Sequence, residues 1–260
     1  VISYIFQRLR GGKRMHTRFV YKAMSVAGRR PGNEDAWTVC QYDDVLFCAV
    51  ADGIGGQPAG DVASFCAVQA AEDAVNRAFA AGNPPDYAAV LMQAHACADA
   101  AVKAEAIGPH RNMGTTLTTA LFSNGRLNTC NTGDSRCSIV RSSRLIQVTR
   151  DHSLVQEQID AGIIRPEEIF SHPQKHIITR SIGAVFAADV AEAILYPGDR
   201  VVLSTDGMHD VLTPERIVRA VQGKTAHAAA VALLTATAPL SDDNITVCVV
   251  TVSSEFIRDT

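Results

Sequence analysis

The succession of segments predicts an α+β fold in which largely antiparallel sheets are covered by helices. Three observations carry that expectation. Strands, a helix pair, more strands, more helices and a final strand follow one another without the regular alternation that builds a parallel sheet. The strand-like runs are short, apolar or alternating, and bounded by turn residues. The 260 residues, 47% apolar and 20% charged, are also enough to bury a large core in a single domain without disulfides.

The elements follow in order. Thr17–Gly28 has broadly alternating character and reads as the first strand, beginning near Arg18. Ala36–Tyr42 and Val45–Ala51 read as two strands joined at Asp43-Asp44; the second is wholly apolar and should be buried on both faces. Asp61–Ala81 places Val68, Ala71, Val75 and Phe79 at helical spacing. Tyr87–Ile107 repeats the style, which predicts an antiparallel helix pair with one buried stripe each. Thr115–Phe122, an Asn124-Gly125 turn, Arg126–Asn131 and Arg136–Arg141 predict a meander, with a short strand at Leu145–Val148. Ser153 to Gln156 has the pattern of a capping box opening a helix to about Ala161, and Pro166–Ile169 begins another turn of helix. Residues 171–188 look like loop. Asp189–Leu195, Arg200–Ser204 and Ile245–Val252 complete the strands; Thr213-Pro214 opens a helix to about Val221, and Ala226–Thr237 forms the last helix.

Composition narrows the function. Lys and Arg number 24 against 27 Asp and Glu, a formal charge of −3, without the basic excess of a general nucleic-acid binder. Residues 1–18 carry five basic residues and no acid, so residues 19–260 hold 19 basic against 27 acidic residues, a net −8. An acidic body suits metal cations better than phosphate polymers. Residues 1–18 are expected to be a poorly ordered basic extension, or a short anchor for an acidic partner or surface, and residues 19–260 a single domain. The seven cysteines are scattered without a Cys-x-x-Cys pair, which predicts free thiols in a reducing, cytoplasmic setting. No apolar stretch approaches the ~18 residues of a membrane span.

The chemistry sits at strand ends. Val45–Ala51 runs into Asp52-Gly53, Val201–Thr205 runs into Asp206-Gly207, Asp134 falls between two strands, and Asp242-Asp243 precedes the last one. Carboxylates at the edge of a core are costly unless hydrogen bonds or a cation offset their burial, and converging ones repel. Hard divalent cations such as Mg²⁺ and Mn²⁺ relieve both problems through oxygen ligands. The glycine that follows Asp52 and Asp206 has no β-carbon, so its carbonyl can approach a metal closely. Arg29 and Arg30 stand beside Glu34 and Asp35, and an arginine near a metal pair is suited to clamping phosphate oxygens. Each feature alone is an ordinary turn or surface ion pair; the joint pattern carries the expectation.

These residues resemble the metal-dependent protein phosphatases of the type 2C (PPM) family, in the style of its bacterial branch. The resemblance lies in Arg30-Pro-Gly-Asn-Glu-Asp35, Val50-Ala-Asp-Gly-Ile-Gly-Gly56, Gly114-Thr-Thr-Leu117, Asn131-Thr-Gly-Asp-Ser-Arg136, Arg150-Asp-His-Ser153, Ile178-Thr-Arg-Ser-Ile-Gly183, Leu203-Ser-Thr-Asp-Gly207 and Ser241-Asp-Asp-Asn-Ile-Thr-Val247. They fall in family order from about residue 22 to 252. The resemblance implies a β-sandwich of two sheets with helices on both outer faces and metals in a cleft at one end. Asp52 would bridge two tightly held Mn²⁺ or Mg²⁺ ions. Glu34 and the Gly53 carbonyl would help hold one, and Asp206 and Asp243 the other. Asp134 with Asp206 would hold a weaker third. Arg30 would bind the substrate phosphate, and Asp35 would orient water without touching a metal.

The implied activity is hydrolysis of phosphoserine and phosphothreonine in proteins, by a hydroxide bridging the two metals, against a bacterial serine/threonine kinase and by a monomer. The catalytic set would be Arg30, Asp52 and Asp206. Ile54 departs from many eukaryotic relatives, which carry a histidine proposed as the general acid there. In its place His152 is a candidate acid, though it reads better as a structural residue capping the region of the following helix, and His172 and His176 read as surface residues in a segment resembling the family's flap. Two other classes remain: a phosphoprotein-binding module without activity, disfavoured by the intact acid set, and a two-metal phosphoesterase acting on nucleotides or nucleic acid, the latter disfavoured by the acidic body.

Overall fold

The computed structural model describes residues 13–54, 59–82, 84 and 86–258. Two five-stranded antiparallel sheets pack face to face. One has the order β1 (Lys13–Val26), β10 (Ile245–Arg258), β9 (Arg200–Ser204), β6 (Arg136–Arg141), β7 (Arg144–Gln147). The other runs β2 (Asp35–Tyr42), β3 (Val45–Asp52), β4 (Leu117–Ser123), β5 (Arg126–Thr132), β8 (Asp189–Ile194). Helices α1 (Gly60–Ala80) and α2 (Tyr87–Glu105) cover the β2 to β8 sheet. The short α4 (Asp206–His209), α5 (Pro214–Val221) and α6 (Ala226–Thr237) cover the other, and α3 (Leu154–Asp160) lies in the β7–β8 connection. This is the helix–sheet–sheet–helix sandwich the resemblance implied.

The continuous apolar strands follow from that layering. Successive side chains of a strand point to opposite faces. In β3, Phe47, Ala49 and Ala51 enter the core under α1 and α2, while Leu46, Cys48 and Val50 enter the core between the sheets. β10 repeats this, with Val247 and Val249 under α5 and α6 and Cys248 and Val250 between the sheets. A strand dry on both faces has no polar position to spare until its end. The parity of β3 therefore aims Asp52, its last residue, between the sheets. Asp35 pairs with Asp52 across the β2–β3 ladder and points the same way. Val68, Ala71 and Val75 form the expected stripe of α1, with Phe79 half-buried and stacked between Tyr42 and Tyr87.

The structure departs from the sequence expectation in three places. The segment 115–141 is not a meander: β4 and β5 pair, but β6 crosses to the other sheet and pairs with β7 and β9. Strand propensity is local and carries no information on which sheet receives a strand. The crossing carries Gly133-Asp134 over the end of the sandwich. Second, residues 13–18, expected within the poorly ordered extension, form the start of β1 and pair with residues 253–258 of a β10 longer than expected. Partner strand, not local pattern, extends both. Residues 1–12 of that extension lie outside the described residues. Third, α4 is too short to show a helical period. All seven cysteines are free, four buried and three half-buried. Among the described residues no helix is long and apolar enough to cross a membrane.

Candidate metal centre

A cleft of about 300 Å³ opens at the end of the sandwich where β3 and β9 stop. It is lined by Arg30, Glu34, Asp52, Gly53, Ile54, Thr116, Asp134, His176, Ile178, Asp206 and Asp243. Every acid the sequence singled out for a metal is there, from five separate stretches of chain. Asp35 lies behind Asp52 in the ladder.

The backbone holds the acids before any ligand does. Asp52 N–H donates to Thr116 Oγ1 at 2.9 Å, and the Asp52 carbonyl accepts from Thr116 N–H at 2.9 Å and Thr115 Oγ1 at 2.8 Å. Its carboxylate is left to face the cleft. Gly53 N–H donates to the Glu34 carbonyl at 3.0 Å. A β-carbon on Gly53 would lie 2.3 Å from the Gly60 carbonyl oxygen, so the start of α1 can close on this turn only over a glycine. Gly207 is tighter: its β-carbon would stand 1.9 Å from the Asn244 carbonyl oxygen. That approach brings the start of α4 against the start of β10, and so Asp206 beside Asp243.

Asn244 is the residue that ties the cleft together. Its Nδ2 donates to the carbonyls of Ala27 at 2.9 Å and Gly32 at 2.8 Å, and its Oδ1 accepts from Glu34 N–H at 2.8 Å. One side chain thus fixes the loop bearing Arg30 and Glu34 to the loop bearing Asp243. Its place in the Ser241–Val247 motif was the available signal. Arg30 Nη2 donates to Asp243 Oδ2 at 2.8 Å, and Arg30 Nε to the Asp242 carbonyl at 3.2 Å.

Electrostatically the carboxylates of the cleft outnumber its one arginine, Arg30. Burial, then Asp206, Asp35 and Asp134, push the Asp52 carboxyl well above the carboxylate range. Asp134 is pushed up likewise, by burial and then Asp206. Burial, then Asp210 and Asp243, raise Asp206 to about 6. Burial raises Asp35 to about 7 against the lowering effect of hydrogen bonds from Thr246 and Thr205, the latter donating its hydroxyl to Asp35 Oδ2 at 2.9 Å. Asp35 Oδ1 and Asp206 Oδ1 are buried without a hydrogen-bond partner. Converging carboxylates with orphaned oxygens are a donor set for hard divalent cations, which remove the repulsion and fill the empty acceptor positions.

The histidines differ from expectation. His152 does not cap α3; Ser153 does, accepting from Gln156 N–H at 3.3 Å. His152 clasps the crossing loop instead. Its N–H donates to the Gly133 carbonyl at 2.9 Å, its Nδ1 accepts from Gly133 N–H at 3.2 Å, and its Nε2 meets Asp189 Oδ2 at 3.0 Å. His176, read as a surface residue, is exposed but turns its ring to the cleft. Thr116 and Ile178 also line the cleft without having been singled out.

The comparisons with known proteins agree in direction. The family model described as protein phosphatase 2C matches residues 28–238. The serine/threonine protein phosphatase PstP of Mycobacterium tuberculosis is 36% identical over 208 residues, covering 78% of this chain but 38% of that protein; the chain thus spans well under half of the relative's length. The serine/threonine phosphatase stp of Listeria monocytogenes is 31% identical over 228 residues, covering 85% of this chain and 90% of that one. The crystal structure of the PstP catalytic domain in complex with two manganese ions superposes with a TM-score of 0.74 at 33% identity, over 92% of this chain and 100% of that one.

Proposed function

The chain belongs to the protein phosphatase 2C family, and from that premise we propose that its cleft hydrolyses phosphoserine and phosphothreonine in proteins with Mn²⁺ or Mg²⁺ held by its carboxylates. The observation that carries the reading is the convergence of Asp52, Asp206 and Asp243 in one cleft with Arg30 at its rim. The two manganese ions of the PstP catalytic domain support it.

Asp52, Asp206, Asp243, Glu34 and the Gly53 carbonyl would hold two cations, and Asp134 with Asp206 a weaker third. Bound there, the cations supply charge neutralisation for the phosphate and acidify a water toward neutral pH. The protein's own groups do the rest. Arg30 reaches from the rim and can exchange its carboxylate partner for phosphate oxygens, orienting the phosphorus and stabilising charge as it builds. Asp35 Oδ1, buried and without a partner, is an acceptor that can orient the attacking water. Ile54 and Ile178 keep part of the wall apolar, and Ile54 cannot protonate the leaving oxygen. No protein nucleophile is needed. The substrates would be products of a serine/threonine kinase.

The test is phosphate release from a phosphothreonine peptide in Mn²⁺, with a nucleoside monophosphate assayed in parallel. Peptide turnover should depend on the cation and fall by at least about a hundredfold in Asp52→Ala and Asp206→Ala, since losing only a residue that supports a metal ligand costs about 10–100-fold. Near-normal turnover in folded variants, or preference for the nucleotide, would overturn the reading.

A further inference from the structure

Two buried imidazoles take no part in the chemistry described so far, yet both reach the turn that carries Asp134. His152 is 1% exposed and His209 4%. Neither lines the cleft.

That turn is held through its main chain. Gly133 has φ 103°, and a β-carbon there would stand 2.6 Å from Thr116 Cγ2, so the crossing from β5 to β6 lies pressed on Thr116. The Gly133 carbonyl accepts from His152 N–H at 2.9 Å and from Asn131 Nδ2 at 2.9 Å, and Gly133 N–H donates to His152 Nδ1 at 3.2 Å. A ring nitrogen that faces an N–H carries the lone pair, so the His152 proton sits on Nε2 and is donated to Asp189 Oδ2 at 3.0 Å. Arg180 Nη1 holds the other oxygen of that carboxylate at 3.0 Å. His209 takes the next peptide unit. Its Nδ1 meets Ser204 Oγ at 2.9 Å, and the ring also hydrogen-bonds the Asp134 backbone, for which Nε2 remains. His209 belongs to α4, the helix that Asp206 opens. Burial lowers the pKa of both rings, which favours their neutral form.

We propose that His152 and His209 are positioning residues that grip consecutive peptide units of the turn and set the Asp134 carboxylate against Asp206, at the separation that decides how strongly the cleft holds its weaker cation. The proposal rests on the reading of the cleft as a metal centre and deepens it. Asp206 is the charge that acts most on Asp134, so the two carboxylates push the turn outward whenever no cation lies between them. The imidazoles oppose that push from behind. Partners that stand behind a metal ligand in this way are worth about 10–100-fold in metal affinity. The two tighter cations, assigned to Glu34, Asp52, Gly53, Asp206 and Asp243, do not use Asp134 and are spared.

The experiment counts Mn²⁺ on the whole chain, stripped of metal and titrated while electron paramagnetic resonance reads the free ion. The unaltered protein should show tight sites and a weaker one that Asp134→Ala removes. Amide side chains then separate the two ring positions, since Asn places an acceptor near the place of Nδ1 and Gln a donor near the place of Nε2. His152→Asn should keep the weaker site close to its parent affinity, while His152→Gln, which gives up the acceptor for Gly133, should weaken it about 10–100-fold. At His209 the order should reverse, because His209→Gln keeps a donor for Asp134 and His209→Asn gives it up. The tight sites should hold in every variant. A loosened fold would weaken both classes together and would not reverse the order. Equal losses at tight and weaker sites, a weaker site unmoved by His152→Gln and His209→Asn, or tight sites with no weaker one in the unaltered protein would each overturn this proposal and leave the two-cation reading standing. No bound Mn²⁺ in the unaltered protein would overturn both.

Discussion

Arg30 Nη2 donates to Asp243 Oδ2 at 2.8 Å, across 213 residues of sequence. The arginine proposed to take the phosphate and an aspartate proposed to take a cation thus hold each other. Both are about half exposed, so the pair contributes little to stability by itself. Its interest is exchange: a cation at Asp243 releases the guanidinium toward the cleft. Arg30→Ala should therefore act mainly on substrate binding. We expect KM for a phosphothreonine peptide to rise about tenfold or more, the scale of a lost charge-assisted contact, with a smaller fall in kcat. Steady-state kinetics at saturating Mn²⁺ decide it; an unchanged KM removes Arg30 from phosphate binding.

Asp206 is held among Asp52, Asp210 and Asp243 with one oxygen unpartnered. Without cations its charge is a net cost to the fold. Asp206→Asn should raise the melting temperature of the metal-free protein by a few degrees, corresponding to about 1–2 kcal/mol at this chain length. The rise in Tm that Mn²⁺ gives the unaltered protein should shrink or disappear in the variant. Differential scanning calorimetry with and without Mn²⁺ reads both effects. A variant less stable than the parent in chelator would contradict the electrostatic account.

Gly207 admits the Asn244 carbonyl where a β-carbon would stand 1.9 Å away. Gly207→Ala must push the start of α4 off the start of β10. We expect about 3 kcal/mol or more of lost stability and loss of turnover together, because the shift separates Asp206 from Asp243. Ala232→Gly, on the half-buried flank of α6, is a control that changes helix propensity by about 1 kcal/mol and should spare turnover. Thermal unfolding and peptide turnover on the same preparations test it.

His95 is fully buried on α2, with Nδ1 3.1 Å from Thr132 Oγ1 and Nε2 3.0 Å from Thr119 Oγ1. Burial lowers its pKa from 6.5 to about 3. Between those values the unfolded chain binds a proton that the native protein does not. Stability due to this group is therefore intact above pH 6.5 and falls with acid, by about 1.4 kcal/mol per pH unit. His95→Gln should lose that component. From pH 7.5 to 5 the parent should lose about 2 kcal/mol more than the variant, the cleft carboxylates cancelling in the difference. Urea unfolding at several pH values measures it, and parallel profiles would refute it.

What the sequence disclosed and what it withheld divide along physical lines. The dry run Val45–Ala51 announced a strand buried on both faces, and its ending in Asp52 announced a carboxylate at the core's edge. The acids of the cleft were visible because each ends or begins a strand and because the motifs lie in family order. Contacts made in space were not visible. Asn244 joins the loop of residues 27–34 to its own through three hydrogen bonds of one amide, and although its motif was visible, those contacts were not. His176 was read as surface because Pro173 breaks its segment, and its approach to α4 depends on the pairing of Ile178 with Ser153. The passage of β6 to the far sheet was invisible, since neither hydropathy nor turn residues tell a strand which layer it joins.

The register of β1 with β10 has a consequence for anything joined to this domain. Val26 faces Ile245 near the cleft, while Lys13 faces Arg258 at the other extremity of the ribbon. Thirteen steps of strand separate the two, a reach on the order of 40 Å. Chain leaving the sandwich at Lys13 and at Arg258 thus departs from one shared pole, and a tether planted on those two residues would leave the mouth of the cleft unobstructed.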